Sequence, residues 1–390
     1  MKPLEGLKVL DFSHVLAGPC CTMILADYGA DVIKVEPAAG DPSRQYGPHQ
    51  KGESIYFASI NRGKRSIVLD LKSEEGKNAA RILAMGCDVL VENFRPGVME
   101  RLGLGFDDLR GSNPGLIYAC ASGFGRTGPL SGKPAYDIQV QAMCGMMNMN
   151  GAEGGEPLKA GPSVIDIVTG MTLANGIMAA LYARHKTGQG QMVDVAMLDV
   201  GVALMENAVA RYFATGKCPA STGNRHASIT PFDSFTAGDG KTFVLAIAGE
   251  RMWRTFCVAV ERNDLATDPR FADNPQRTAH HAELKAILEG EVFSSKGAAG
   301  WVRELDLAGV PCTLIAPIDT VVCNPQLKER GMLVKLEHPV AGAYTVAGVP
   351  VRFTGTPASV DRPAPALGQH TKEILGAIDN IERRDGAWNG

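Results

Sequence analysis

Short apolar runs that alternate with helical segments dominate the first 121 residues of this 390-residue chain. A helix is predicted at 18–28, before Gly29, and another is predicted after Ser73, which is a favourable N-cap residue. The runs predicted as strands are 7–12, 31–36, 66–71, 87–92 and 115–121. Strands separated by helices pair in parallel, because the crossover needs a helix-length connection. The pattern therefore predicts an α/β fold with a parallel sheet in a Rossmann-like large domain.

The remainder of the chain predicts a second, smaller domain of α+β type. We expect a large domain over 1–213, a linker over 214–241, a small domain over 242–330, and a C-terminal segment over 331–390 that returns to the large domain. The linker prediction depends on a composition rich in Thr, Gly, Ser, Pro and Asn. The further predicted elements are strands at 243–247 and 310–315, helices at 250–261, 280–294 and 297–308, a β segment at 341–353 and a last helix after Gln369.

Charge and cysteine content exclude several classes of function. The 39 Lys and Arg residues against 42 Asp and Glu give a net charge of −3, so we expect no nucleic-acid partner and no anionic membrane surface. The nine cysteines form no CxxC pair and have no matching histidine spacing, so we expect no metal site and no disulfide framework. The N-terminus shows no export signal, and no apolar run reaches the roughly 18 residues of a membrane helix. The sequence predicts a cytoplasmic protein.

A glycine pattern at 123–128 matches GxGxxG and follows a predicted strand, as in dinucleotide-binding turns. Pro129 and the segment 131–134 stand where the helix of such a turn should begin. This context favours a loop over an NAD-binding turn. No P-loop, GxSxG elbow, HExxH helix or EF-hand loop is present, so carboxylates are the remaining catalytic candidates.

The stretch 161–170 places one carboxylate, Asp166, between two pairs of β-branched residues. A buried charge is costly without a partner, so this acid is either paired or reactive. Helical spacing over 166–186 predicts a helix that begins at or next to Asp166 and stops near Gly188. The free N–H groups of a helix N-terminus are expected to keep the carboxylate ionised, and an ionised acid shielded from water is a nucleophile. From the residues alone, a helix cap is the favoured interpretation of Asp166.

Segments in order along the chain resemble class III CoA-transferases of the formyl-CoA transferase type. In that family the nucleophilic aspartate is followed three residues later by Thr-Gly at a helix start, which Asp166, Thr169 and Gly170 match. The resemblance implies a Rossmann-like large domain, a small domain, and a homodimer of two chains threaded as interlocked rings. The segments that carry it are 4–11, 17–19, 26–36, 61–66, 91–97 (VENFRPG), 136–137, 161–170, 187–191 and 367–371.

The same positional match implies a site for acyl-CoA, which is a substrate here; no permanently bound cofactor is expected. Lys72 and Arg101 suit phosphate groups, although a solvated surface lysine is the ordinary alternative. Tyr136 is implied to lie near the thioester, together with Asp137. The residues implied to contact CoA are Val15, Leu16, Ala17, Leu69, Lys72, Asn93, Phe94, Arg101 and Tyr136.

The resemblance also implies a mechanism in which Asp166 attacks the donor thioester and gives a mixed anhydride and CoA thiolate. The thiolate then attacks the aspartyl carbonyl, which releases the donor acid and leaves an enzyme–CoA thioester for the acceptor. We expect the apolar flanks to exclude water and the N–H groups at the helix start to stabilise the oxyanion. Asp137 has two interpretations, a second catalytic carboxylate or a helix cap after Tyr136.

Three further residues are predicted to meet the substrate. His14 follows the first strand at its carboxyl end, where α/β sheets bind ligands, although a hydrogen-bonded structural histidine is the alternative. Leu16 and Tyr46 replace a glutamine and a tryptophan of the oxalate-using member, so the resemblance does not extend to formyl or oxalate specificity. Arg44 is placed to pair with a second acceptor carboxylate, which favours a dicarboxylic acid such as succinate, glutarate or a mesaconate-like acid.

Two rival functions share the implied fold. The α-methylacyl-CoA racemase branch uses a histidine where this chain has Tyr136. A tyrosine, with an ordinary pKa near 10 against about 6.5 for histidine, is a poor general base at neutral pH. The other rival is a CoA-binding protein without turnover, and the presence of both Asp166 and Asp137 argues against it.

Overall fold

The computed structural model describes residues 1–386, with side chains described as far as residue 378. The strands within these residues are β1 Lys8–Asp11, β2 Asp31–Glu36, β3 His49–Gln50, β4 Glu53–Ser54, β5 Arg65–Val68, β6 Val89–Glu92, β7 Ile117–Ser122, β8 Met192–Ala196, β9 Phe232–Thr236, β10 Thr242–Ala246, β11 Cys312–Leu314, β12 Leu333–His338 and β13 Gly342–Ala347. The α-helices are α1 Ala17–Asp27, α2 Ile55–Ile60, α3 Glu74–Met85, α4 Val98–Arg101, α5 Phe106–Leu109, α6 Asp137–Met143, α7 Met146–Met149, α8 Val164–Thr187, α9 Met197–Leu204, α10 Glu206–Thr215, α11 Glu250–Ala259, α12 Asn263–Thr267, α13 Asn274–Ala279, α14 His281–Ile287, α15 Ala298–Leu307, α16 Ile318–Val321, α17 Pro325–Glu329 and α18 Thr371–Gly386.

The chain divides into two compact units. The large unit contains residues 1–146, 159–217 and the chain from 325 onward, and the small unit contains 147–158 and 218–324. This division differs from the predicted boundaries at 147–158, which were predicted in the large domain, and at 325–330, which were predicted in the small domain. The segment 147–158 (MNMNGAEGGEPL) is rich in Gly and Asn, which is typical of a connecting loop, and composition does not show which unit such a segment joins.

A six-stranded parallel sheet forms the centre of the large unit, in the order β5-β2-β1-β6-β7-β8. The five predicted strands are all present in this sheet. The sixth, β8, was missed because its residues (MVDVA) form an edge strand with a central exposed Asp194 and no continuous apolar run. The chain winds from β1 to β2 and β5 on one side and then returns to β6 on the other side. The strand order therefore reverses between β1 and β6, and open α/β sheets bind ligands at such a point.

Helices cover both faces of this sheet. On one face α1 and α8 pack against Val32 and Val91, and on the other face α3 packs against Leu10 and Leu90. Helix α8 is long and apolar enough by length and composition to cross a membrane, but Leu173 on its inner side is fully buried against the sheet. A core helix of a sheet layer passes the same test, and 39% of this apolar stretch is buried in the chain.

The small unit contains a three-stranded antiparallel sheet in the order β11-β10-β9. Its core is aromatic, with Phe235, Phe243, Trp253 and Phe293 fully buried. Strand β9 lies inside the segment predicted as a linker, 214–241. That prediction is therefore wrong for Phe232–Thr236: Thr and Ser alternate there with buried Asp233 and Phe235, and composition alone could not show that burial.

The C-terminal elements from 325 belong to the large unit. Strands β12 and β13 pair antiparallel as a hairpin, and residues 348–353, predicted as part of a β segment, are not strand. The last helix begins at Thr371, two residues after Gln369, as predicted. Its N-terminal turn is fixed to the sheet, because the Val68 N–H donates to Thr371 Oγ1 over 3.0 Å.

Candidate active site

The connection from β1 to α1 forms a strained elbow at the switch point of the sheet. Val15 has a φ of 65°, a left-handed conformation that is unfavourable for a β-branched residue and costs about 1–3 kcal/mol. Asp41 holds this conformation, because its carboxylate accepts the Val15 N–H at 3.2 and 3.3 Å. Asn93, just after β6, accepts the His14 N–H at 2.8 Å and donates to the His14 carbonyl at 2.9 Å. The elbow is therefore fixed from both sides.

Asp166 lies in the first turn of α8, which begins at Val164, two residues earlier than predicted. Four residues on, Gly170 is the point where α8 crosses α1. A Cβ at Gly170 would lie 2.6 Å from the Ala17 carbonyl oxygen and 2.8 Å from Cys20 Cβ. The glycine therefore permits a close helix crossing that brings the first turn of α8 to the N-terminal end of α1.

Asp137 caps helix α8 although it is itself the first residue of α6. Its Oδ1 accepts the N–H groups of Ile165 at 2.8 Å and Asp166 at 3.2 Å, while Gln141 donates to Oδ2. The N–H groups of Val164 and Ile167 donate to local carbonyls. The first-turn N–H groups are thus occupied, so the expectation that they stabilise an oxyanion is wrong. Of the two interpretations of Asp137, the geometry favours a cap, on α8 and not on its own helix.

The environment of Asp166 favours its neutral form. Burial and the nearby Asp137 carboxylate raise the pKa of Asp166 to about 7. The expectation that the helix N-terminus keeps this acid ionised is therefore corrected, because Asp137 takes the N–H donors and adds a like charge. Near neutral pH a large fraction of Asp166 is still a carboxylate. Such a partly desolvated anion is more reactive toward a carbonyl carbon than a solvated one.

A cavity of about 320 Å³ contains Asp166 and is named here the Asp166 cavity. Several residues predicted to bind CoA line it, and so does His14, predicted to meet substrate. The predicted residues in its wall are His14, Val15, Leu16, Ala17, Asn93, Phe94 and Tyr136. The structure thus brings together segments that lie between residues 14 and 197 of the chain.

A second depression of about 560 Å³, named here the Lys72 groove, adjoins the cavity. Leu69 and Lys72 line it, together with His14 and Phe94, which also line the Asp166 cavity. The two rings meet edge to face with centroids 5.0 Å apart and form a shared wall. Arg101 lines neither depression; it is exposed at the end of α4.

Arg44 does not have the substrate role predicted for it. Its Nε and Nη2 pair with the buried Glu36 carboxylate at 2.7 and 2.8 Å, and its guanidinium lies 3.7 Å over the Phe57 ring. A guanidinium that is paired on both arms has no free fork for a second carboxylate. The prediction fails because Glu36 lies eight residues away in sequence and the pairing depends on the fold.

Tyr46 is also displaced from its predicted place. It is exposed, does not line the Asp166 cavity, and packs edge to face on Tyr56 with centroids 5.6 Å apart. Tyr56 was not predicted, and burial and the Asp166 carboxylate raise the pKa of Tyr56 to about 12.

Two cations in the cavity wall were also not predicted. Arg95 and Lys133 line the Asp166 cavity, and neither side chain makes an ion pair or hydrogen bond within the described residues. Arg95 lies within the matched segment 91–97, and Lys133 lies in the loop that follows the glycine pattern. In the described part of the chain, no group of three His, Cys, Asp or Glu residues is arranged to hold a metal ion.

The family model for CoA-transferase family III matches residues 4–371. An acetyl-CoA:oxalate CoA-transferase of Acetobacter aceti is 44% identical over 94% of this chain and 93% of that protein. The human succinyl-CoA:glutarate CoA-transferase is 38% identical over 98% and 88%, and a succinyl-CoA:mesaconate CoA-transferase of Haloarcula hispanica is 40% identical over 96% of each. A crystal structure of a CAIB/BAIF family protein from Brucella suis superposes with a TM-score of 0.86, at 36% identity, over 96% of this chain and 99% of that one.

Proposed function

This chain belongs to CoA-transferase family III, and we propose that it moves coenzyme A from an acyl-CoA donor to a dicarboxylic acid through a covalent intermediate on Asp166. The observation that carries the proposal is the position of Asp166. It lies in a cavity walled by the implied CoA residues, with no ion-pair partner within the described residues and a pKa of about 7. Three relatives named for oxalate, glutarate and mesaconate transfer support the class of acceptor.

Each step of the proposed reaction has a group to perform it. The Asp166 carboxylate oxygen bonds to the thioester carbon, and the carbon–sulfur bond breaks to give a mixed anhydride and CoA thiolate. The thiolate attacks the aspartyl carbonyl and expels the donor carboxylate, and the acceptor carboxylate then reverses both steps. Ala17 lies at the start of α1, an 11-residue helix whose N-terminal end faces the same cavity as Asp166. Its positive end favours negative charge developing there.

Incubation with succinyl-CoA and a panel of acids tests this function. We expect CoA transfer to oxalate, glutarate or mesaconate at least about tenfold faster than to acetate. Hydroxylamine should attack the Asp166 carbonyl of the anhydride or of the enzyme–CoA thioester, displace the leaving group and leave a hydroxamate on Asp166 that peptide mass spectrometry locates. The control is the same incubation without donor. Transfer without any adduct on Asp166 would reject the covalent step, and absence of transfer to every acid would reject the function.

The second carboxylate of the acceptor needs a cation, and Arg44 is already paired with Glu36. We assign this role to the unpaired cations of the cavity wall, Arg95 and Lys133. Both side chains are exposed and have no ion-pair or hydrogen-bond partner among the described residues, so either is free to pair with a carboxylate.

Replacement of each cation by alanine tests this assignment. The variant that loses the binding partner should show an increase of roughly tenfold in the acceptor KM for a dicarboxylate, with the KM for a monocarboxylate unchanged. Lys72→Ala is the matched control, because Lys72 lines the other depression. If Arg95→Ala and Lys133→Ala both keep the dicarboxylate KM, these residues do not bind the acceptor.

We propose further that the active molecule is a homodimer. Large apolar side chains are exposed on the outer sides of α8 and α10: Met171 by 52%, Tyr182 by 66% and Phe213 by 81%. Soluble chains rarely leave such surfaces uncovered, so they are suited to an interface with a second copy. Light scattering should give twice the chain mass, and a monomer at micromolar concentration would contradict this.

A cytoplasmic location remains our proposal. All nine cysteines are free, including the adjacent and buried Cys20 and Cys21. Unpaired thiols are typical of reducing compartments. Titration of the unreduced protein with a thiol reagent in denaturant should detect nine thiols.

A further inference from the structure

The turn that carries the shared wall is tied to its own strand by a buried acid. Glu92 is the last residue of β6 and is 3% exposed. Its Oε2 accepts the N–H of Phe94 at 2.8 Å. Between them, Asn93 holds the His14 backbone through both of its side-chain atoms. The ring of Phe94 and the elbow at His14 thus have fixed positions only while this turn keeps its shape.

The glycine pattern at 123–128 supplies a counter-ion to this acid. Arg126, within that loop, places Nη1 3.7 Å from Glu92 Oε1, and its Nη2 bonds the Glu100 carboxylate. Its backbone N–H donates to Asp194 Oδ2 at 3.1 Å. The next helix begins only at Asp137, so these glycines do not open a helix as a dinucleotide turn does. The loop instead brings a guanidinium to the end of β6.

We propose that Glu92 is a positioning residue for coenzyme A: with Arg126 as its counter-ion, its carboxylate holds Phe94 in the wall shared by the Asp166 cavity and the Lys72 groove. This inference rests on the proposed function, since it requires CoA to lie along that wall. Glu92 faces neither depression and does not touch the substrate; it acts through the Phe94 N–H. The arrangement also explains why a charged residue ends a strand that is otherwise entirely apolar.

The surroundings of Glu92 make its hold on the turn dependent on pH. Burial raises the pKa of Glu92 to about 7; the Phe94 N–H and Arg126 oppose this rise, and the carboxylates of Glu100 and Asp194 add to it. Tyr118 and Cys120, on β7, are the other titratable groups nearby, and their pKa values are raised above the neutral range. A charged acceptor bonds an N–H more strongly than a neutral one. CoA affinity should therefore increase as the pH rises through about 7.

Calorimetric titration with CoA, in full-length protein carrying Asp166→Asn, measures this effect without the titration of Asp166. With Glu92 intact, we expect CoA to bind about three- to tenfold more tightly at pH 8 than at pH 6. Glu92→Gln should reduce this difference, leaving only the part that comes from titration of the CoA phosphate itself. Glu92→Ala should weaken binding at pH 8 by roughly tenfold. Glu100→Gln is the control, because it leaves the Phe94 N–H bonded to Glu92. CoA binding by this variant should keep its pH dependence with a midpoint at lower pH, since the Glu100 carboxylate no longer raises the pKa of Glu92.

An unchanged pH dependence in Glu92→Gln overturns the proposal. If Glu92→Ala does not fold, the glutamine variant alone decides, because it keeps the side-chain shape and removes only the charge. The readout is CoA binding and needs no turnover. Failure of the proposed function would appear instead as CoA binding with a Glu92-dependent pH profile but no transfer to any acid by the wild-type chain.

Discussion

Asp166→Asn should abolish CoA transfer, by about 10⁴-fold or more, and at the same time stabilise the fold above neutral pH. The pKa of Asp166 is about 7 in the folded chain against an ordinary 3.8. An acid with a raised pKa binds its proton more tightly in the folded state. It therefore destabilises the fold as the pH rises from about 4 to 7, and the full effect is present above 7. Asparagine has no proton to lose, so the variant should gain up to roughly 4 kcal/mol at pH 8.

Chemical denaturation at pH 4 and pH 8 measures this gain, which should be near zero at the lower pH. Asp199→Asn is the control, because Asp199 is an exposed carboxylate in the first turn of α9 and should change stability by less than about 0.5 kcal/mol. Desolvation of the Asp166 carboxylate has two effects: it makes the carboxylate more reactive, and it lowers the stability of the fold. Full transfer by the asparagine variant would remove Asp166 from the mechanism, and an equal gain at both pH values would remove the electrostatic explanation.

Gly170→Ala should force apart the crossing of helices α1 and α8. The added Cβ would lie 2.6 Å from the Ala17 carbonyl oxygen, 2.8 Å from Cys20 Cβ and 3.1 Å from the Cys21 nitrogen, and two of these atoms are backbone. Helices α1 and α8 must separate, which should cost about 1–3 kcal/mol. Because Asp166 lies one turn away on α8, we also expect kcat/KM to fall by roughly 100-fold.

Gly161→Ala is the matched control, since a Cβ there would meet no atom within 4 Å. Unfolding curves and transfer rates of the two variants, measured side by side, separate a helix-crossing effect from a general effect of replacing glycine. Stability and transfer rates in Gly170→Ala equal to those of the control would show that the crossing tolerates a side chain. In that case the close approach of α1 and α8 would not be what positions Asp166.

Much of the site could be found from sequence because its signals are local. The acid of 161–170 stands out against apolar neighbours within ten residues, and the matched segments place Asn93 and Phe94 at the end of a strand. His14 follows from one rule, that parallel sheets bind ligands at the carboxyl ends of strands. The comparisons confirm the family, whereas the individual roles of these residues stay predictions.

The failures share a different cause, which is dependence on contacts that only the fold creates. The sequence does not show that Arg44, predicted to bind the acceptor, is paired with Glu36 in the fold. Nor does it show that Asp137, one of whose interpretations was a cap for its own helix, accepts an N–H of α8 instead. Strand β9 lay hidden in polar sequence because the burial of Phe235 comes from elements on both sides of it.

The sequence by itself determined the alternating elements, the parallel sheet, the family and the acid that we propose as nucleophile. All of these are encoded in periodicity and in short ordered motifs. Tertiary structure alone decided which charges are paired, which N–H groups remain free, and how far each carboxyl group is removed from water. Those properties depend on distances across the fold, and desolvation has no counterpart in the order of residues along a chain.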